Sequence, residues 1–323
     1  LPQCYSSPAA SPSEGSWKQV EGGVEMSATS LEYVDRSSNC ADVWATKHHG
    51  QGPQPYWAWE ASACKLDEVD VATFCKVMEG RKGLLFVGDS LTEIMTQTLG
   101  GVLEAQLVDK QLPFIRHYSA CGDALKFSWY RNDILDVRTT DFKTIHCAFK
   151  DVSDSRCIVF ATDSILGQFD TLVVNSGAHR FVGGLDTYRR KMMAASDTLT
   201  ESMKRLHGDS AILVVRNTVP GHWECDVRMF AGPVEQDVAT MLIGKAPVSY
   251  EWITFSEKNK ILEQEFSTDK GWKLLDAYTP TVLRADGHRG GKDCLHYCMP
   301  GPVDHWVLLL YNMLLAEAAG GYR

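Results

Sequence analysis

The feature that most constrains this chain is an apolar run, Gly83-Leu84-Leu85-Phe86-Val87-Gly88, that ends in Asp89-Ser90 and passes at once into Leu91-Thr92-Glu93-Ile94-Met95. The run has the length and unbroken apolarity of a strand buried on both faces. The positions after it, Leu91, Ile94, Met95, Leu99, Val102 and Leu103, recur at helical spacing, although Gly100-Gly101 weakens the middle. A strand that turns directly into a helix delivers one residue, Ser90, to the carboxyl edge of a sheet, where open α/β sheets bind ligands.

The alternation continues downstream. The patterns predict a strand at 171–174, a helix over about 185–206, a strand at 211–215, a helix over about 257–266, a strand at 272–275 and a helix over 303–318. Residues 64–80 have helical spacing with Gly80 as a stop, and short runs at 114–118, 125–130 and 157–160 read as strands or hairpins inserted into the fold. Strands separated by helices of this length imply a parallel sheet with helices on both faces, an α/β class of fold. Residues 1–60 are rich in Ser, Pro, Gly and aromatics and read as an irregular segment packed on a single catalytic domain within 1–323, held by Cys4, Cys40 and tryptophans. No internal repeat is visible.

Charge and cysteine content narrow the function classes. A net charge of -9 gives no positive field for nucleic acid or an anionic membrane, so neither is an expected partner. Ten cysteines, Cys4, Cys40, Cys64, Cys75, Cys121, Cys147, Cys157, Cys225, Cys294 and Cys298, are an even number and read as mostly disulfides in an oxidising compartment. Metal binding by Cys294, His296 and Cys298 is the rival reading, and it lacks the second pair of ligands that a zinc site usually has. No run approaches the roughly 18 apolar residues of a membrane span. With no starting Met and no basic-then-apolar leader, the chain reads as a luminal domain from which an anchor or signal has been removed.

A serine hydroxyl needs a neighbouring base to act as a nucleophile. Alone, Gly88-Asp89-Ser90 reads more readily as a capped turn than as an active site. Asp293-Cys294-Leu295-His296 supplies the partner: a spacing of three lets the Asp293 carboxylate take a hydrogen bond from one imidazole nitrogen while the other faces Ser90. The backbone N–H of Ser90, at the turn into the helix, points at any negative charge that develops on a bound carbonyl oxygen. His296 wedged structurally among Cys294, Tyr297 and Cys298 is the alternative.

Phe86-Val87-Gly88-Asp89-Ser90, together with the run from Asp293-Cys294-Leu295-His296 through Pro300-Gly301-Pro302-Val303-Asp304-His305-Trp306, resembles the PC-esterase branch of the GDSL/SGNH superfamily. Plant trichome-birefringence-like polysaccharide O-acetyltransferases and fungal capsule-acetylation proteins belong to that branch. Trp57-Ala58-Trp59, Cys64-Lys65-Leu66, Asp70 to Phe74, Asn175-Ser176-Gly177 and Val215 to His222 resemble further blocks of it. The resemblance implies a three-layer αβα SGNH-hydrolase-like fold with disulfide-tied insertions and a triad of Ser90, His296 and Asp293. It also implies an oxyanion site of the Ser90 N–H with Asn175, and Gly122 as a further backbone donor.

Two departures stand out. Plant members usually carry a basic residue where Glu93 stands here, and a histidine directly after the Asn-x-Gly block where this chain has Ala178-His179-Arg180. His179, Arg180 and His222 are candidates to line a sugar site, and Trp57, Trp59, Trp129 and Tyr130 to stack on carbohydrate, with surface or packing roles as the plainer reading. The expected activity is carbohydrate O-acetyl transfer through an acyl-serine, in the Golgi lumen or outside the cell. The partners are an acetyl donor and a carbohydrate acceptor, and no metal or cofactor is called for. An acetylesterase acting on acetylated polysaccharide is the close alternative, and a non-catalytic glycan-binding protein the distant one.

Overall fold

The computed structural model describes residues 1–7, 9–20, 56–112, 114–138, 157–225, 230–290, 293–299 and 301–320. Its centre is β3 (Leu84–Gly88), whose five residues are all buried. A strand buried on both faces has to be apolar throughout, as this one is.

β3 is paired in parallel on one side with β6 (Leu125–Arg131) and on the other with β7 (Thr171–Val174). β8 (Ile212–Arg216) and β9 (Trp272–Leu275) extend the parallel part, while β4 (Gln106–Leu112) and β5 (Ile115–Ala120) add an antiparallel edge beyond β6. The resulting seven-stranded order is β4-β5-β6-β3-β7-β8-β9. The chain leaves β3 toward one edge and returns on its other side, so the crevice at the carboxyl end of β3 is where strand order reverses and ligands bind in such sheets.

Alternate residues of each strand feed two cores. Leu84, Phe86, Phe127, Trp129 and Val214 face α1 (Val71–Val77), α2 (Ser90–Val102) and the long C-terminal helix, whereas Leu85, Val87, Leu172, Val174 and Val215 face α3 (Gly184–His207) and α5 (Phe255–Glu265). This is the three-layer αβα arrangement expected from the sequence. α4 (Gln236–Gly244) lies in the β8–β9 connection, and α6 (Pro302–Ala318) closes the chain against α2.

Two small ribbons flank the sheet. β1 (Gly15–Val20) pairs with β2 (Tyr56–Ala61), and Trp17 of β1 donates from Nε1 to the Pro280 carbonyl at 2.8 Å with the Arg284 guanidinium 4.6 Å from its ring. β10 (His288–Gly290) pairs with β11 (Asp293–Tyr297).

Some expectations change in detail. The 64–80 pattern becomes helix only over Val71–Val77, because Asp70 accepts the Thr73 N–H and fixes the helix start there. The runs at 114–118 and 125–130 belong to the main sheet rather than to an insertion, and Cys157 makes only an isolated bridge to Asn132. Disulfides join Cys4 to Cys64, Cys75 to Cys121 and Cys225 to Cys294; Cys157 and Cys298 are disulfide-bonded as well, and Cys40 and Cys147 lie outside the described residues. With the sulfurs of Cys294 and Cys298 so bonded, neither is a thiolate ligand, which removes the metal reading of that cluster.

Candidate active site

The site begins with the turn that ends β3. Asp89 is wholly buried, and its Oδ1 accepts the Leu91 N–H at 2.9 Å, capping α2. Ser90 is therefore the first residue of the helix and is partly exposed at the carboxyl edge of the sheet. Gly88 allows the tight approach: a Cβ there would lie 2.3 Å from Thr92 Oγ1 and 3.0 Å from the Asn175 carbonyl.

β11 brings the second half. His296 Nε2 lies 2.7 Å from Ser90 Oγ, and His296 Nδ1 lies 2.9 and 3.0 Å from the two oxygens of Asp293. A carboxylate on Nδ1 selects the tautomer with its proton there, so Nε2 accepts from the serine hydroxyl. Asp293 also accepts the backbone N–H groups of Leu295 and His296, at 3.3 and 3.0 Å, and has Arg289 Nη1 at 3.8 Å. Partial burial raises the Asp293 carboxyl, but the hydrogen bonds and charge of His296, helped by Arg289, outweigh it and hold the group well below the usual carboxylate range. The three side chains named from motif spacing are thus brought into one hydrogen-bonded line across 206 residues of sequence.

The segment leaving β8 holds β11 in place. The Cys225–Cys294 disulfide, the His222 N–H donated to the Cys294 carbonyl at 3.0 Å and the Tyr297 hydroxyl donated to the Pro220 carbonyl at 2.7 Å all connect the two. His288 spans from His222 Nδ1, at 2.7 Å, to the carbonyl of His296, at 3.1 Å. His222 is therefore a buried support of the ribbon and not a residue lining a sugar site.

The two further oxyanion donors expected from the resemblance lie at different ends of the sheet. Asn175 is buried at the end of β7, and its amide nitrogen donates to the Arg216 carbonyl at 2.8 Å and to Thr218 Oγ1 at 2.9 Å. Both its N–H groups are spent clasping β7 to the exit of β8. Gly122 occupies the β5–β6 turn with φ +63. Because Phe127 of β6 pairs with Leu84 at the start of β3, that turn lies at the amino end of the sheet, opposite Ser90. A Gly-rich turn carries no mark in sequence of the sheet end it occupies; the pairing register decides that.

His179 and Arg180 follow β7 at the carboxyl edge. His179 Nε2 is 3.5 Å from Asp133 Oδ2, and Arg180 is 71% exposed in its side chain with Nε 3.3 Å from Glu251. Of the tryptophans offered for stacking, Trp59 and Trp129 are buried and Trp57 packs beside Gly232; Tyr130 is buried as well.

Arg216 has a larger place than its sequence block suggested. It ends β8 wholly buried, donates from Nη2 to Thr92 Oγ1 at 3.2 Å and lies 4.8 Å from the Trp306 ring. Burial pushes it down to about 10, against the opposing pull of Asp89, so it stays cationic at neutral pH beneath the first turn of α2. An arginine closing an otherwise apolar strand at its carboxyl end was the available signal.

The PC-esterase family, described as a GDSL/SGNH-like acyl-esterase family found in Pmr5 and Cas1p, matches residues 185–313, a span that holds Asp293 and His296. The chain is also similar to protein trichome birefringence-like 18 of Arabidopsis thaliana, 23% identical over 93% of this chain and 65% of the relative. Protein trichome birefringence-like 40 of the same plant is 26% identical over 93% of this chain and 86% of its own length. Xyloglucan O-acetyltransferase 3 of Populus trichocarpa is 24% identical, with 94% and 85% covered. The chain thus spans 65% of the first relative's length and most of the other two.

Proposed function

We propose that this relative of the PC-esterase family is a polysaccharide O-acetyltransferase of the secretory pathway that works through an acetyl-serine on Ser90. The observation that carries the reading is the line from Ser90 Oγ through His296 to Asp293, with contacts of 2.7 and 2.9 Å. The relatives named as trichome birefringence-like proteins and as a xyloglucan O-acetyltransferase support the substrate class. The disulfides fit an oxidising compartment.

In the first step His296 Nε2 takes the Ser90 proton as Oγ bonds to the acetyl carbonyl carbon. The carbonyl oxygen becomes an oxyanion, stabilised by the Ser90 N–H and the positive end of α2. The C–O bond to the donor breaks as His296 returns the proton to the leaving group. In the second step a sugar hydroxyl gives its proton to His296 as its oxygen bonds to the acetyl carbon, and the bond to Ser90 Oγ then breaks as His296 passes that proton to Oγ, restoring Ser90. Asp293 stays ionised throughout, orienting the ring and stabilising its cationic form.

Water in place of the sugar turns the same steps into ester hydrolysis, and acceptor binding decides between the two. Incubation of the purified chain with a chromogenic acetyl ester, with and without a neutral polysaccharide, reads both outcomes. Acetylated glycan with an acetyl-Ser90 intermediate is expected; release of acetate alone makes the protein an esterase. Ser90→Ala is expected to abolish turnover, and Asp293→Asn to lower kcat by about 10⁴-fold through loss of the correct tautomer. Full activity in either variant overturns the assignment.

A further inference from the structure

Beside the candidate active site, the connection between β8 and β9 carries a cluster of three aromatic rings that the mechanism does not use. Trp223, Tyr250 and Trp252 have centroids 6.0, 6.5 and 5.0 Å apart. Trp252 is 4% exposed and forms the buried base of the cluster, whereas Tyr250 is 45% exposed and Ile253, in the same segment, 68%. Aromatic and apolar side chains left in water next to one another mark a binding surface more often than scattered single ones do.

Two connections tie this cluster to the reactive groups. The Cys225–Cys294 disulfide joins the position two residues after Trp223 to the position two residues before His296, and Trp223, Ala178 and Leu295 pack on one apolar cluster with Trp252. Glu251, between Tyr250 and Trp252, has a left-handed φ of +53. Its carboxylate pairs with Arg180 at 3.3 Å and Lys258 at 3.1 Å, and Lys258 Nζ also donates to the carbonyls of Gly177 and His179, at 3.1 and 3.2 Å. The segment that carries the rings is thus tied through Glu251 to Arg180 and, through Lys258, to the loop that leaves β7.

We infer that Tyr250 and Trp223, edged by Arg180 and Glu251, form an acceptor subsite for a neutral polysaccharide chain, one pyranose of which stacks here while another residue of the chain reaches Ser90. The inference rests on the reading under Proposed function and deepens it. A pyranose presents C–H groups on its face and hydroxyls around its rim, and this patch offers the matching order of aromatic faces inside and hydrogen-bonding forks outside. At the surface the border presents one cation, Arg180, paired with one anion, Glu251, while Lys258 lies beneath them with its side chain 4% exposed. A uronate carboxylate would have to compete with Glu251 for the Arg180 guanidinium.

The test is binding to the full chain carrying Ser90→Ala, so that no turnover is needed. Cellohexaose, xylohexaose and mannohexaose are titrated as neutral probes and hexagalacturonate as the anionic one, read by calorimetry and by tryptophan fluorescence. At least one neutral hexaose is expected to bind and to change the fluorescence. Adding Tyr250→Ala is expected to raise its Kd about tenfold or more, equivalent to about 1.4 kcal/mol, whereas Tyr250→Phe, which keeps the ring, restores tight binding. Absence of binding by every neutral probe, tighter binding of hexagalacturonate, or an unchanged Kd in Tyr250→Ala overturns the inference. So does a change in sedimentation in place of Kd, which would mark the patch as a protein interface. Thermal unfolding of each variant controls for folding. Wild-type hydrolysis of the chromogenic acetyl ester reports on the catalytic reading separately, so either conclusion can fail alone.

Discussion

Glu93 lies one turn beyond Ser90 on α2 and is paired with Arg116 of β5, whose Nε donates to Oε1 at 2.8 Å and whose Nη2 bonds the same oxygen. The resemblance drawn from the sequence implied a base on the helix at this position; here the base comes from the sheet and the helix carries the acid. Both side chains are mostly buried, at 14% and 16% exposed, and Arg116 also lies 5.8 Å from the Trp129 ring. Removing one partner leaves the other charge desolvated without its hydrogen bonds. Glu93→Ala is therefore expected to destabilise the protein by about 2 kcal/mol, read from the urea midpoint, and Glu93→Arg by more, because it sets two guanidinium groups against each other. A midpoint unchanged in Glu93→Arg would mean that the pair does not hold α2 to the edge of the sheet.

Among the elements, the β10–β11 ribbon depends most on what surrounds it. Its two short strands could not hold His296 at 2.7 Å from Ser90 unaided, since isolated two-stranded ribbons are marginal in water. The Cys225–Cys294 disulfide closes a loop with a sequence separation of 69 and ties the ribbon to the β8 exit. Cys225→Ser combined with Cys294→Ser is expected to cost about 4 kcal/mol of stability by the loop-entropy account. It should also lower kcat of acetyl-ester turnover more than it raises KM, because misplacing His296 affects the chemical step and not the binding of a small ester. Loss of stability with an unchanged kcat would show that the hydrogen bonds from His222 and Tyr297 hold the ribbon without the covalent link.

At the scale of the whole molecule, acid should act through the buried histidines. Burial pushes His222 down to about 4 and His305 down to about 3, so both stay neutral when folded while unfolded chains titrate near 6.5. The unfolded state therefore binds more protons below pH 6.5, and stability falls as the pH drops from about 6.5 toward 4, with His222 alone accounting for on the order of 3 kcal/mol. Urea midpoints across that range check this, and His222→Asn should flatten the dependence. Much of the molecule could be read without coordinates. Periodicity located the parallel strands and their helices because a strand buried on both faces must be apolar throughout, and Ser90, Asp293 and His296 could be singled out because acyl transfer needs those residue types and a spacing of three lets Asp293 reach His296. What needed the tertiary structure was every property set by register and depth. Which end of the sheet receives the Gly122 turn, which neighbours consume the Asn175 amide, which arginine meets Glu93 and which aromatic rings stay in water all depend on contacts between residues far apart in the chain. The local sequence determined the elements and the reactive groups, because strand, helix and nucleophile are specified by neighbours along the chain; packing alone decided what each of those groups faces.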